Sequence, residues 1–190
     1  MYYLKVVKSK KIVLIIIIKT KIYPMKGCYC LTIHLKNAKK IKVGKLGMIN
    51  FKKGYYVYVG SAMNSLESRI NRHLSEDKKL HWHIDYLLKK AEITCIIYNE
   101  NKKVECELSQ FLKTKTDGVK NFGCSDCECE SHLYYFKNRN DAIESVENAY
   151  KSIAMNFEYF KIWNLSFSYV YMKFQMNLGP ISLRLPNHHR

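Results

Sequence analysis

Between residues 26 and 35 (KGCYCLTIHL) the chain alternates. Cys28, Cys30, Thr32 and His34 fall on one side, and Tyr29, Leu31, Ile33 and Leu35 on the other. A period of two predicts a β-strand. Asn37 to Lys40 is a polar turn, and Ile41, Val43 and the Gly44–Gly47 stretch predict a second short strand and a bend. Gly54 opens a dense run of β-formers, Tyr55 to Gly60. Ser61 to Ser65 is polar and holds two helix-capping candidates. Leu66, Ile70 and Leu74 then recur at helical spacing, which predicts an amphipathic helix over 66–75 with His73 beside the apolar stripe. Residues 81–90 (HWHIDYLLKK) read as a second helix and Ile93 to Tyr98 as a strand. Val104, Leu108, Phe111 and Leu112 mark a third helix. Phe122 to Phe136 reads as a Cys-rich loop ending in an aromatic strand, and Asp141 to Lys151 as a last helix capped by Asp141. These elements predict an α+β fold: a small, mostly antiparallel sheet flanked by helices.

The ends differ from this middle. Ile12 to Ile18 is an unbroken apolar run between Lys11 and Lys19, too short for the ~20 residues of a membrane span. Residues 1–24 are therefore either an extension carrying a buried β-strand or sequence upstream of a start at Met25. Residues 25–151 form the expected domain. Residues 152–190 are a tail of unknown role, with one further strand suggested by Leu165, Phe167, Tyr169 and Tyr171.

Charge narrows the choice of partner. The 190 residues carry 32 Lys+Arg against 16 Asp+Glu, a formal net charge of +16. Such a surface attracts polyanions, and nucleic acid is the expected partner. Pairs such as Lys52-Lys53 and Lys78-Lys79 spread this charge over loops and helix ends, where it would give sequence-independent, salt-sensitive contact with phosphates. Seven cysteines, an odd number, with no signal peptide evident, argue for thiols or metal ligands in a cytoplasmic protein, not a disulfide framework. No membrane partner is expected, and the oligomeric state is left open.

The middle of the chain also resembles a known family. Gly27-Cys28-Tyr29 lies on one predicted strand, Tyr58-Val59-Gly60 ends another, and Arg69 and His73 follow on a helix. This order resembles the GIY-YIG nuclease superfamily. The blocks VGKLG, GYYVYVGSA, RINRHL, WHIDYLL, ECEL and FGCSDCECESHLYYF, over about residues 26–138, resemble its Uri-type branch of predicted archaeal and bacterial endonucleases. The resemblance implies divalent-metal-dependent hydrolysis of phosphodiester bonds in DNA, with RNA left open. It implies that Tyr29 and Tyr58 line the site, that Arg69 contacts the phosphate, and that a downstream Glu holds one Mg²⁺ or Mn²⁺. Glu105 is preferred because it precedes Leu108 by three positions; Glu107 is the alternative. A tyrosine hydroxyl, with an ordinary pKa near ~10, needs cationic neighbours to act as a base at pH 7. Arg69, His73 and the metal are expected to supply them. The alternative use of the residues is ordinary packing: the tyrosines in the sheet, Arg69 in a salt bridge with Asp77 or Glu76, and His73 between helix and sheet. Two departures from the family pattern stand out. Cys28 replaces an apolar residue, and residues 36–53 separate the two motifs further than is common in the superfamily.

Three further groups carry candidate chemistry. Cys124, Cys127, Cys129 and His132 could bind zinc, although four ligands within nine residues are cramped for one tetrahedral ion, and such sites normally draw a second pair from elsewhere. His81, His83 and Asp85 form H-x-H-x-D; on a helix only His81 and Asp85 share a face. Arg72 points away from the stripe and reads as a solvated charge or a nucleic-acid backbone contact. The competing function is a non-catalytic nucleic-acid-binding module on the same fold, with zinc ordering the Cys loop.

Overall fold

The computed structural model describes residues 2–9, 12–19 and 25–161. Contacts divide the chain into Met1–Phe160 and Lys161–Arg190, and of the second unit only Lys161 is described. Strands β1 (Tyr2–Ser9) and β2 (Ile12–Lys19) pair with each other as an antiparallel hairpin. The elements that follow are β3 (Gly27–Leu35), β4 (Lys39–Val43), β5 (Gly47–Phe51), β6 (Gly54–Ala62), α1 (Leu66–Leu74), α2 (His83–Leu88), β7 (Glu92–Tyr98), α3 (Glu105–Lys113), β8 (Leu133–Phe136), α4 (Arg139–Ser152) and β9 (Glu158–Tyr159). Five of the strands make one antiparallel sheet in the order β8-β6-β3-β7-β9. The fold is α+β, with helices on both faces of the sheet.

Alternation along the two central strands decides which residues meet which helices. Cys28, Cys30, Val57, Val59 and Ile97 point to one face. There they pack with Val104, Leu108 and Leu112 of the α3 segment and Ala142, Val146, Ala149 and Tyr150 of α4. Tyr29 and Tyr58 point to the other face, toward α1, which buries Leu66, Ile70 and His73. The Ser65 hydroxyl caps α1 by accepting the Ser68 N–H at 3.1 Å. Cys28 replaces an apolar residue because its sulfur has a partner: it accepts the Val104 N–H at 3.0 Å and so ties the start of α3 to β3.

The two motif glycines are fixed by close approaches. A Cβ on Gly27 would stand 1.9 Å from the backbone oxygen of Asn99. Gly60 lies directly across the ladder from Tyr29, and a Cβ there would stand 2.6 Å from the Tyr29 hydroxyl oxygen and 2.7 Å from the ring carbon bearing it. The Tyr29 ring occupies the space that Gly60 leaves empty.

The structure corrects several boundaries. Residues 36–53 form a β4–β5 hairpin closed by a 3₁₀ turn, Gly44–Leu46, where one strand and a bend were expected. The second helix starts at His83, not at residue 81. The Asp85 carboxylate accepts the N–H groups of His81 and Trp82, at 2.9 Å each, and ends the helix there. His81 therefore lies outside the helix and does not share its face with Asp85. α4 begins at Arg139, and Asp141 accepts a hydrogen bond from the Asn138 amide ahead of it. Beyond residue 152 the chain returns to the sheet: β9 pairs with β7, and Tyr98 donates to Glu158 at 2.9 Å. The strand expected over 165–171 lies outside the described residues.

The glycine contacts predict an order of severity. Gly60→Ala must displace the end of one side chain and should destabilise the fold by about 1–3 kcal/mol. Gly27→Ala meets backbone and should prevent folding. Denaturant titration of both variants checks this, and equal stabilities would contradict it.

Candidate active site and thiol cluster

Tyr29, Tyr58 and His73 form a buried aromatic pocket between β3, β6 and α1. The Tyr29 hydroxyl and His73 Nε2 are hydrogen-bonded at 2.8 Å. Ring centroids are 5.5 Å apart for Tyr29 and His73, 6.2 Å for Tyr58 and His73, and 6.5 Å for the two tyrosines. Phe122, from the Cys-rich segment, closes on Tyr58 at 6.4 Å. Burial pushes the His73 pKa down to about 3, and the nearby charges of Lys78, Arg69 and Arg72 act in the same direction. His73 is thus neutral at pH 7 and does not supply the positive charge expected of it. It is instead a neutral imidazole hydrogen-bonded to the Tyr29 hydroxyl, which it holds in place. Burial raises both tyrosine hydroxyls, while the Arg69 charge lowers both.

The two arginines of α1 diverge at Trp82. Both guanidinium carbons lie over its ring, Arg69 at 4.3 Å and Arg72 at 4.0 Å, a stacking that suits the planar group. Arg72 does not point away to solvent. Its two terminal nitrogens grip the Asp85 carboxylate at 3.0 Å each, and one also donates to the Lys79 carbonyl. Asp85 is fully buried. Burial alone would raise its pKa, but Arg72 and the two backbone N–H groups together hold it below the usual value. Arg72 is a structural ion-pair partner, not the solvated charge that its place on the helix suggested. Arg69 sits half-buried above the tyrosines. Among the described residues, the expected bridge to Asp77 or Glu76 does not form.

Lys78 is also a structural contact. Its ammonium donates to the carbonyls of His73, at 2.6 Å, and Arg72, at 3.3 Å, and so caps the C-terminal end of α1. Lys52, Lys53 and Lys79 are exposed, and Lys52 lies 5.6 Å over the Tyr135 ring.

The two candidate metal carboxylates differ in placement. Glu105 is buried at the first turn of α3, and Glu107 is exposed. The Glu105 charge bears on both Tyr58 and Tyr29 and raises their pKa. Its partner is Lys103, at 2.9 Å. A carboxylate buried on one side of the pocket and already holding a cation offers the hard oxygen donor that Mg²⁺ or Mn²⁺ takes, and such an ion keeps waters in its other positions.

The cysteines assemble differently from the expected set. Cys106 of α3 joins Cys127, Cys129 and His132, with all four donor atoms within 4.8 Å of one another. These residues could hold a metal ion. Cys124 is not in the group. It is buried, and its backbone carbonyl accepts the Cys127 thiol at 4.0 Å. A loop this tight cannot turn all four side chains to one point, so the helix fills the place assigned to Cys124. The sequence signal is the cysteine inside ECEL, hidden by its distance from the loop. His83 is no ligand here; its Nδ1 accepts the Gly123 N–H at 3.1 Å.

A family model described as Domain of unknown function DUF123 matches residues 28–155. The chain belongs to this family. No curated protein and no solved structure matches it. The DUF123 region spans the pocket from Tyr29 to Glu105 and the whole thiol cluster. Among the described residues, no helix is long and apolar enough to cross a membrane.

The charges of the DUF123 pocket lead to two predictions. Asp85→Ala leaves Arg72 and two N–H groups without their acceptor and should destabilise the protein by roughly 3–5 kcal/mol. Arg69→Ala should change stability by about 1 kcal/mol or less. Chemical denaturation compares them, and similar losses would contradict the division of roles. His73 gives a pH dependence. Its folded pKa, about 3, lies below the ordinary 6.5, so between those values the unfolded chain binds the extra proton. Stability should fall as pH drops from 6.5 towards 3, by ~5 kcal/mol at most. Denaturation curves for wild type and His73→Gln should converge in acid; parallel curves would refute this.

Proposed function

We propose that the protein is a divalent-metal-dependent endonuclease hydrolysing phosphodiester bonds in DNA. The observation that supports it best is the pocket itself. Two buried tyrosines, one hydrogen-bonded to a neutral histidine, share it with an arginine that has no ion-pair partner among the described residues. The resemblance of the surrounding blocks to GIY-YIG nucleases of the Uri type points the same way, as does the net charge of +16.

In this reading Arg69 binds the scissile phosphate, held in place by Trp82. Glu105 would hold one Mg²⁺ or Mn²⁺. When bound, that ion supplies charge stabilisation to the phosphoryl oxygens and the leaving group. Tyr29 orients the attacking water and, once its own proton is lost to solvent, takes the water's proton as the phenolate, while a hydrogen bond to His73 Nε2 holds its oxygen in place. Tyr58 completes the wall that excludes bulk water. The raised hydroxyls would become competent as Arg69 and the bound cation favour the phenolate. The exposed Lys52, Lys53 and Lys79 would contribute unspecific phosphate contacts.

One observation favours a second reading. Glu105 is already paired with Lys103, and burial disfavours ionised tyrosines. A non-catalytic nucleic-acid-binding module would look the same, with zinc at the thiol cluster ordering the loop.

A cleavage assay separates the two. Labelled single-stranded, duplex, flap and branched DNA, with an RNA control, is incubated with Mg²⁺ or Mn²⁺ and with chelator. Wild type should nick at least one substrate in a metal-dependent way. Arg69→Ala, Tyr29→Phe and Glu105→Gln should each lose about 10²-fold or more in rate. Salt-sensitive binding by all four proteins with no cleavage would establish the binding module instead.

A further inference from the structure

We infer that Cys106, Cys127, Cys129 and His132 bind a single zinc ion that clamps the first turn of α3, and with it Glu105, against the strand carrying Tyr58. The donor set is three thiols and one imidazole, the soft ligands that select zinc over Mg²⁺. The spacing fits one ion. A tetrahedron with zinc–sulfur bonds of ~2.3 Å has edges of roughly 3.8 Å. Here all four donors lie within 4.8 Å, and His132 Nε2 is 3.4 Å from Cys127 Sγ. An iron–sulfur cluster would hold its thiolates further apart, because iron and sulfide lie between them.

The ligands come from separate elements, and this makes the site a clamp. Cys106 is the second residue of α3 and the neighbour of Glu105. Cys127 and Cys129 belong to the loop before β8. His132 is buried, and its carbonyl accepts the Val59 N–H at 2.9 Å, one residue beyond Tyr58. Its own N–H donates to the Phe122 carbonyl at 2.8 Å, and Phe122 packs on Tyr58. An ion at this point would join α3, the loop and β6 around the pocket wall. α3 has no side-chain cap at its N-terminus. The Cys28 sulfur and the proposed ion are its two anchors there. Zinc binding is independent of the nuclease proposal; the purpose of the clamp, placing Glu105, rests on it.

The test needs no cleavage assay. Protein produced in zinc-supplemented medium and purified without chelator is analysed for metal content. Wild type should carry one zinc per chain. Cys106→Ser and Cys127→Ser should lose it, and Cys124→Ser should keep it. Should the serine variants fail to fold, metal-stripped wild type is titrated with Co²⁺. Thiolate-to-cobalt charge-transfer absorption and strong visible bands of a tetrahedral ion are expected. Folded wild type with neither zinc nor that spectrum overturns the site. Retention by Cys106→Ser with loss from Cys124→Ser overturns the ligand set. The clamp is read by hydrogen exchange: removing zinc should speed exchange of amides 106–109 by about tenfold or more, and unchanged exchange refutes it. Folded wild type that carries no zinc as purified, gives no cobalt spectrum and still cleaves DNA would sink this inference and leave the nuclease proposal standing.

Discussion

The pocket depends on a close approach between two strands. The Tyr29 ring lies where a side chain at residue 60 would be, and the ladder sets Gly60 opposite Tyr29. Only with that space empty can the ring lie down along the sheet and bring its hydroxyl to His73. Gly27 has the same role on the neighbouring strand, where the chain at Asn99 passes too close for any side chain. These two contacts join β3 to β6 and to the segment leading into α3. They fix the elements that carry Tyr29, Tyr58, His73 and Glu105 before any polar contact is considered.

Much of this architecture is legible in the sequence because it rests on periodicity. A two-residue alternation places Cys28 and Tyr29 on opposite faces, and an i, i+4, i+8 stripe places Arg69 and His73 where α1 meets the sheet. What escapes the sequence is contact between distant segments. Arg72 looks solvated there because its partner, Asp85, lies thirteen residues away on another helix. The second helix looks longer because H-x-H-x-D has the composition of a helix start, and only the fold shows Asp85 capping from within. Cys106 stays hidden because a ligand on a helix twenty-one positions before Cys127 leaves no local spacing to read. The charge state of His73 is hidden for a related reason: burial and the three neighbouring cations are properties of the packed pocket.

The two arginines of α1 are held by one ring and committed differently. Both guanidinium carbons lie over the Trp82 ring. Asp85 accepts from both terminal nitrogens of Arg72 and also fixes Trp82 through its backbone N–H. Arg69 inherits a rigid platform without committing its hydrogen bonds to it. A side chain held against a ring, whose donors have no ion-pair partner among the described residues, loses little entropy on meeting a phosphate. On either proposed reading, this favours Arg69 over the more numerous lysines as the specific phosphate contact.

Glu105 stands between the tyrosine pocket and the thiol cluster. On one side its charge acts on the tyrosine hydroxyls, and on the other it bears on His132 and Cys106 of the thiol cluster. On the nuclease reading, a hard ion must reach its carboxylate with most of its waters, so the carboxylate needs an open side and a fixed position. Burial supplies position at the cost of access, and the Lys103 pair shows that the side facing solvent stays open to a cation. The proposed soft-ligand clamp one residue along would resolve the conflict. It would hold the backbone of α3 through Cys106 and leave the neighbouring carboxylate free to exchange Lys103 for a hydrated ion. The two sites would not compete for metal, because thiolates discriminate against Mg²⁺ as strongly as a lone carboxylate among waters suits it.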